Sequence, residues 1–281
     1  ARRAAQLCKA DLATQMVVEM TSLQGVMGYY YALASGESQL VAEAIRDHYA
    51  PATAGDHGPE SKAALVVGLT DRLDSLAGLF AAGLAPTGSK APFALRRTAL
   101  GLVNNLISWD LSLDLEEALE QAIAELPIKI SAENRAACLN FISDRLHNYL
   151  RDEGFAYDVV DAVVSAQGED PAGAFRAVQV LTEWIQKKDW ELMLDSYARC
   201  ARITRDLKDR FEIKENLLVE KAEKELFQAV KKADPEGIPR GDVEAFFAAF
   251  VPLVPKITDF FDHVLVMDED QELRQNRLGL L

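Results

Sequence analysis

Two adjacent arginines, Arg96 and Arg97, stand one turn into a helical pattern that is otherwise apolar, behind the loop Pro86 to Lys90. A guanidinium in such a place needs acceptors. It is either buried against a carboxylate of the fold or presented to phosphate, whose oxygens match its planar fork. Suitable carboxylates, Asp71 and Asp74, lie one turn apart on the preceding helical pattern, and His48 ends the pattern before that. A second group of cations is Arg199, Arg202, Arg205, Lys208, Arg210 and Lys214, against only Asp206, Asp209 and Glu212. Arg199, Arg202 and Arg205 recur every third residue and wind slowly round one helix. That spacing serves either ion pairs along a solvated face or phosphate contacts to a structured RNA.

Other chemistries find less support. A helix with carboxylates beside a histidine resembles the HD superfamily of all-α metal phosphohydrolases, in which a His-Asp dipeptide and further ligands hold a cation that activates water. Here the four histidines precede Tyr49, Gly58, Asn148 and Val264 and never an aspartate, so no metal site is expected. Asp71 and Asp74 are then available to Arg96 or Arg97, and the spacing predicts a structural ion pair with Arg96 inside the fold. There is no G-x-S-x-G elbow, P-loop or G-x-G-x-x-G, so no catalytic residue is assigned. Cys8, Cys138 and Cys200 are far apart and read as small buried apolar residues of a reducing compartment.

With 281 residues and 49% hydrophobic content the chain suits one large or two medium globular domains. A formal charge of −14 opposes coating of nucleic acid by net charge, so RNA contacts must come from local patches. No apolar run approaches the roughly 20 residues of a bilayer span, and neither membrane nor DNA is expected as a partner. Ala1-Arg2-Arg3 runs straight into a helical pattern, which suggests that the chain begins inside a longer protein.

Nearly every segment has helical period, and the expected fold class is all-α. Residues 4–24, 26–34 and 39–48 form a helical series, followed by a loop over 49–59. A long helix from Ser61 carries Leu65, Leu69, Leu73, Leu76 and Phe80 on one face. The next opens at Pro92, with Leu95, Ala99, Leu102 and Leu106 on one stripe and Arg96, Leu100, Val103 and Ile107 on another. Asp114 and Ser131 are candidate N-caps. Residues 165–173 look like a linker, which divides the chain into 1–165 and 166–281. Later helices carry Phe246-Phe247-Phe250 and Phe260-Phe261, which read as core by their helical spacing.

Together, KADL from Lys9, LQGVMG from Leu23, DRLDSLAGLF from Asp71, PTGSKAPFALRR from Pro86 and FFDHVLVMDEDQELRQNRLGLL from Phe260 make the chain similar to the C-terminal half of the bacterial glycyl-tRNA synthetase β subunit family. The resemblance implies a metal-free HD-like helical domain followed by an α-helical anticodon-binding domain of the arginyl-tRNA synthetase type. It implies a tRNA-recognition segment, in the cytoplasm or an organellar stroma or matrix, that binds the acceptor end and anticodon arm of tRNA(Gly). The glycine would be attached with ATP and magnesium by a class II module, either an α subunit or a fused α module. The segment itself would need no cofactor. Lys90, Arg97, Arg199, Arg202 and Arg205 are the implied tRNA contacts, and a helical scaffold within the synthetase or a degenerate phosphohydrolase are the alternatives. Position 91 is Ala where the family usually has an Asp that would cap the helix, a loss of about 1 kcal/mol unless Ser89 substitutes. SYARCARITR from Ser196 looks more like the fused single-chain form.

Overall fold

The computed structural model describes residues 1–51, 57–86 and 94–281, and every regular element among them is helical, as expected. The chain divides into two compact units, Ala1–Val178 and Gln179–Leu281.

The first unit opens with short helices Arg2–Leu7 (α1), Gln15–Glu19 (α2), Val26–Ala34 (α3) and Gln39–Asp47 (α4). The continuous helix expected over 4–24 is broken into α1, α2 and intervening 3-10 turns, and the cause is Asp11. Its buried Oδ2 accepts from the amides of Gly25 and Gly28 at 2.7 and 3.1 Å, which ties the segment to the start of α3. Gly25 has φ of 78°, and its missing Cβ leaves room for the Tyr49 ring. These requirements are tertiary and leave no mark on hydrophobic periodicity.

Lys62–Ala81 (α5) is the central helix, capped by Ser61 Oγ, which accepts from Ala64 N. All five residues of its expected stripe are buried, from Leu65 to Phe80. Around it pack α4, Leu95–Ser108 (α6), Leu115–Ala124 (α7) and Ala132–Asp152 (α8). Asp114 caps α7 through the amides of Glu116 and Glu117, and Ser131 caps α8 through Asn134 N. Tyr157–Gln167 (α9) and Pro171–Trp184 (α10) follow.

Residues 165–173 are not a linker. Pro171, Ala172 and Ala174 are buried, and Leu115 N donates to Glu169 O at 2.9 Å. Arg176 is further bonded to Asp110 and, at 2.9 Å, to Ser112. The glycines and proline here make a tight, packed helix junction rather than a flexible tether, so the division falls later, inside α10.

The second unit contains Trp190–Thr204 (α11), Lys221–Ala233 (α12), Val243–Phe250 (α13), Val254–His263 (α14) and Gln271–Gly279 (α15). Its core gathers Leu226, Phe227, Ile257, Phe260 and Leu278. Arg277 is 6% exposed and bonds Glu223 at 2.5 Å, Asp268 at 2.6 Å and Leu265 O at 3.0 Å. Glu223 also accepts from the amides of Val219 and Glu220, so a single carboxylate caps α12 and holds α15. Of the aromatic residues read as core, Phe247 and Phe260 are buried, whereas Phe246 is 39% exposed because it faces Tyr197 at the surface of α11. All three cysteines are free and buried, as expected. Burial drives the Cys138 thiol up to about 12 and the Cys200 thiol to about 11. No helix among the described residues is long and apolar enough to cross a membrane.

Candidate nucleic-acid interface

The buried arginine of the first unit is Arg72, and Arg96, expected to be inside, is exposed. On α6 the stripe of Leu95, Ala99, Leu102 and Leu106 is buried throughout, while the stripe that starts at Arg96 reaches the core only at Val103. In the first turn it faces an open groove. Asp71, one acceptor expected for Arg96, is engaged by Lys9 at 2.9 Å, and Asp74, the other, is exposed.

Arg72 is satisfied by main chain. One terminal nitrogen donates to His48 O and Gly68 O at 2.9 and 3.1 Å, and the other to Tyr49 O and Ala50 O at 3.0 and 2.9 Å. The carbonyls of His48, Tyr49 and Ala50 lie where the chain leaves α4 and has run out of helical donors, and that of Gly68 is one turn back on α5 itself. The guanidinium passes between α5 and α6 through space that two glycines keep open. A Cβ on Gly68 would lie 2.7 Å from His48 O, and one on Gly101 2.7 Å from Arg72 Nε. Sequence reading missed this residue, although Gly68 and Gly101 inside strong helical patterns were a usable signal.

The turn beside Arg72 also holds a neutral histidine. His48 is fully buried, with Nδ1 2.7 Å from Ile45 O and Nε2 3.1 Å from Lys9 Nζ. Nδ1–H therefore donates to the carbonyl and Nε2 accepts from the ammonium. Burial first, and the Lys9 charge second, pull the His48 imidazole down to about 4. Burial works against the charge on Lys9, but Asp71 outweighs it and raises the ammonium pKa; the Tyr49 ring lies 4.1 Å away. The cation between this histidine and this carboxylate is one that the chain itself supplies. Among the described residues no group of three or more His, Cys, Asp and Glu comes together to hold a metal ion.

Arg97 is exposed and lies where two grooves of the first unit meet. One, of about 560 Å³, has Thr21, Ser22, Gln24, Tyr49, Asp71 and Thr98 on its walls. The other, of about 400 Å³, runs between the start of α6 and the end of α8 and adds Arg96, Arg145 and Arg151 to Arg97. The chain enters α6 through Ala94, a non-glycine residue with φ of 55° and no side-chain cap to offer. Lys90, Ala91 and Pro92 lie outside the described residues.

The three arginines singled out on α11 do not converge. Arg199 is half-buried, with its guanidinium 4.5 Å above the Phe261 ring of α14, and so packs within the second unit. Arg202 is exposed in the last turn, where a cation suits the helix dipole. Arg205 follows the helix end, exposed and 3.7 Å from Asp206. The helix stops at Thr204, and Lys208 and Arg210 lie beyond it, exposed.

Residues 1–165 match the family described as glycyl-tRNA synthetase beta subunit, and residues 193–281 match the DALR anticodon binding domain. Among curated relatives, the glycine–tRNA ligase beta subunit of Moorella thermoacetica is 38% identical over 291 residues, covering 99% of this chain and 42% of the relative. That of a Janthinobacterium species is 40% identical over 284 residues, covering 99% and 40%. That of Clostridioides difficile is 38% identical over 285 residues, covering 99% and 41%. The chain thus spans about two fifths of the length of the curated relatives it matches.

Proposed function

The chain belongs to the glycyl-tRNA synthetase beta subunit family, and we propose that it is the tRNA-holding part of a glycine–tRNA ligase, with the chemistry performed elsewhere. On this reading tRNA(Gly) is the partner of its cationic surfaces. A class II catalytic module, as α subunit or fused α module, uses ATP and magnesium to attach glycine. The first unit engages the acceptor side and the second the anticodon arm, through Arg97 in one and Arg202 and Arg205 in the other. Lys90 belongs to the same set by its place in the PTGSK segment. The residues at hand would orient and hold RNA rather than move protons: guanidiniums offer forked donors to phosphate and stay charged at every relevant pH.

The observation that carries the reading is the presentation of Arg97 and its neighbours to open grooves by a chain whose net charge is −14. Positive charge gathered against the global balance serves an anionic partner better than it serves stability. Phosphohydrolase chemistry has less support, because the lone pair of His48 and the carboxylate of Asp71 are both engaged by Lys9. A scaffold role fits Arg199 alone, whose guanidinium is committed to Phe261.

Filter binding of a tRNA(Gly) transcript, beside an unrelated RNA of equal length, tests the proposal. The expected result is binding that weakens steeply with salt, as displaced counterions require, and a preference for tRNA(Gly). Equal binding of the two RNAs at low salt would remove the recognition role.

A further inference from the structure

We propose that the groove between the first turn of α6 and the last two turns of α8 is a binding site for neighbouring phosphate groups of an RNA backbone. Arg96 and Arg97 would act from one wall and Arg145 and Arg151 from the other. The inference rests on the tRNA-holding reading above and adds to it two residues that no sequence motif marks.

Four guanidiniums line this groove of about 400 Å³, with Asp152 as the single carboxylate among the described residues of its walls. Like charges brought together from two helices repel, and an anion between them would relieve that repulsion. Helix stability does not explain it. The first turn of α6 carries no acidic residue and two arginines, at the helix end where the backbone dipole disfavours cations. The same dipole attracts an anion to that end, so helix and side chains act in one direction.

The α8 side is held in place by its own surroundings. The Arg145 guanidinium lies 5.3 Å from the Phe141 ring, and its Nε is buried with no hydrogen-bond partner among the described residues. That donor has no acceptor among the described residues, so the fold does not spend this nitrogen on a partner of its own. Arg151 is tethered to Phe155 O and lies 5.9 Å from the Tyr157 ring. Side chains fixed in this way lose little freedom when they bind. On α8, Arg145, Asn148 and Asp152 follow one another at intervals of three and four and share a face, and Arg96 and Leu100 do so on α6. Forked guanidiniums on both walls match phosphodiester oxygens, and a single groove can take two phosphates in succession. An acidic peptide offers carboxylates of similar charge and is the competing occupant.

The test is the affinity of the full chain for a tRNA(Gly) transcript across a salt series, for the wild type and for R145Q/R151Q. Inorganic tripolyphosphate and a polyglutamate peptide are titrated calorimetrically in parallel. The variant gives up the Arg151 bond to Phe155 O and the aromatic contacts of both guanidiniums but no ion pair with Asp152, so its unfolding temperature should fall only slightly. The slope of log affinity against log salt should fall by about one for each phosphate that the variant no longer neutralises. R145K/R151K, which keeps charge but not the fork, should restore the slope and recover only part of the affinity. If R145Q/R151Q itself is unstable, the Lys variant and R97Q carry the comparison. An unchanged slope in variants that fold, with wild-type binding intact, overturns the groove and leaves the tRNA reading standing. Failure of the wild type to bind tRNA(Gly), with tripolyphosphate still bound in an Arg145- and Arg151-dependent way, overturns that reading and the RNA assignment but keeps a phosphate site. Displacement by polyglutamate without any tRNA effect would reassign the groove to an acidic protein segment and overturn the proposal.

Discussion

Each unit of this chain buries one arginine, and the two are satisfied in opposite ways. Arg72 in the first unit meets main-chain carbonyls at the exit of α4, whereas Arg277 in the second meets the carboxylates of Glu223 and Asp268. The exposed arginines differ as well: those of α6 and α8 converge on one groove, while those of α11 diverge toward Phe261, solvent and Asp206. An arginine's place in a helical pattern does not fix its role. What decides the role is which acceptors the tertiary fold brings within reach.

Removing each buried arginine should produce the largest effects and would break the comparison if both behaved alike. R277M leaves Glu223 buried and unpaired and should cost the second unit about 3–5 kcal/mol in denaturant unfolding. R72M strips donors from several carbonyls but leaves no stranded charge, and should cost the first unit about 3 kcal/mol or more. G101A should mimic it in kind, because the added methyl would meet Arg72 Nε. Equal sensitivity of the two arginine variants to acid would contradict the account. Of the direct partners of the two arginines only those of Arg277 include carboxylates, and Asp268 is held below the usual carboxylate range by the Asp270 amide and by Arg277.

Acid should also separate the units through His48. Its folded-state value of about 4 lies below the ordinary 6.5. As pH falls through 6.5 the unfolded chain takes up a proton on this ring, and the folded chain does so only near 4. Stability present above 6.5 is therefore lost across that window, on the order of 3 kcal/mol in total. Lys9, Asp71, Arg72 and Tyr49 face the ring and set this behaviour together. In H48Q the loss of first-unit stability over this window, followed by near-ultraviolet dichroism, should be much flatter. A wild-type first unit equally stable at both ends of the window would contradict it.

Smaller effects should sharpen the contrast between converging and dispersed cations. R97Q should weaken binding of a tRNA(Gly) transcript about tenfold, because Arg97 serves two grooves, whereas R199Q should change thermal stability more than affinity. The smallest effect is A94G: relief of the left-handed backbone at Ala94 should stabilise the first unit by about 1 kcal/mol in thermal unfolding.

Much of the fold was legible because it depends on local chemistry. Asp114 and Ser131 cap helices as their types and positions suggested, the long helix starts next to Ser61 as expected, and the stripe from Leu65 to Phe80 is buried. The break near Asp11 was not, since one carboxylate binds amides fourteen and seventeen residues away. The candidate site was legible only in part. The motif drew attention to Arg97, which stands exposed at a groove, but its neighbours Arg145 and Arg151 lie on a separate helix with no motif of their own. Arg96 shares a stripe with core residues yet sits two turns before that stripe enters the core at Val103. The junction at 165–173 misled because small residues serve close helix packing as well as flexibility.

The central claim is that the first unit holds tRNA through arginines presented against the chain's overall negative charge. Its most direct test is the salt dependence of tRNA(Gly) transcript binding to the chain, compared between wild type and R97Q. The account predicts a steep slope for the wild type and a slope shallower by about one for the variant. Coincident lines for the two proteins, or a wild-type affinity indifferent to salt, would contradict it.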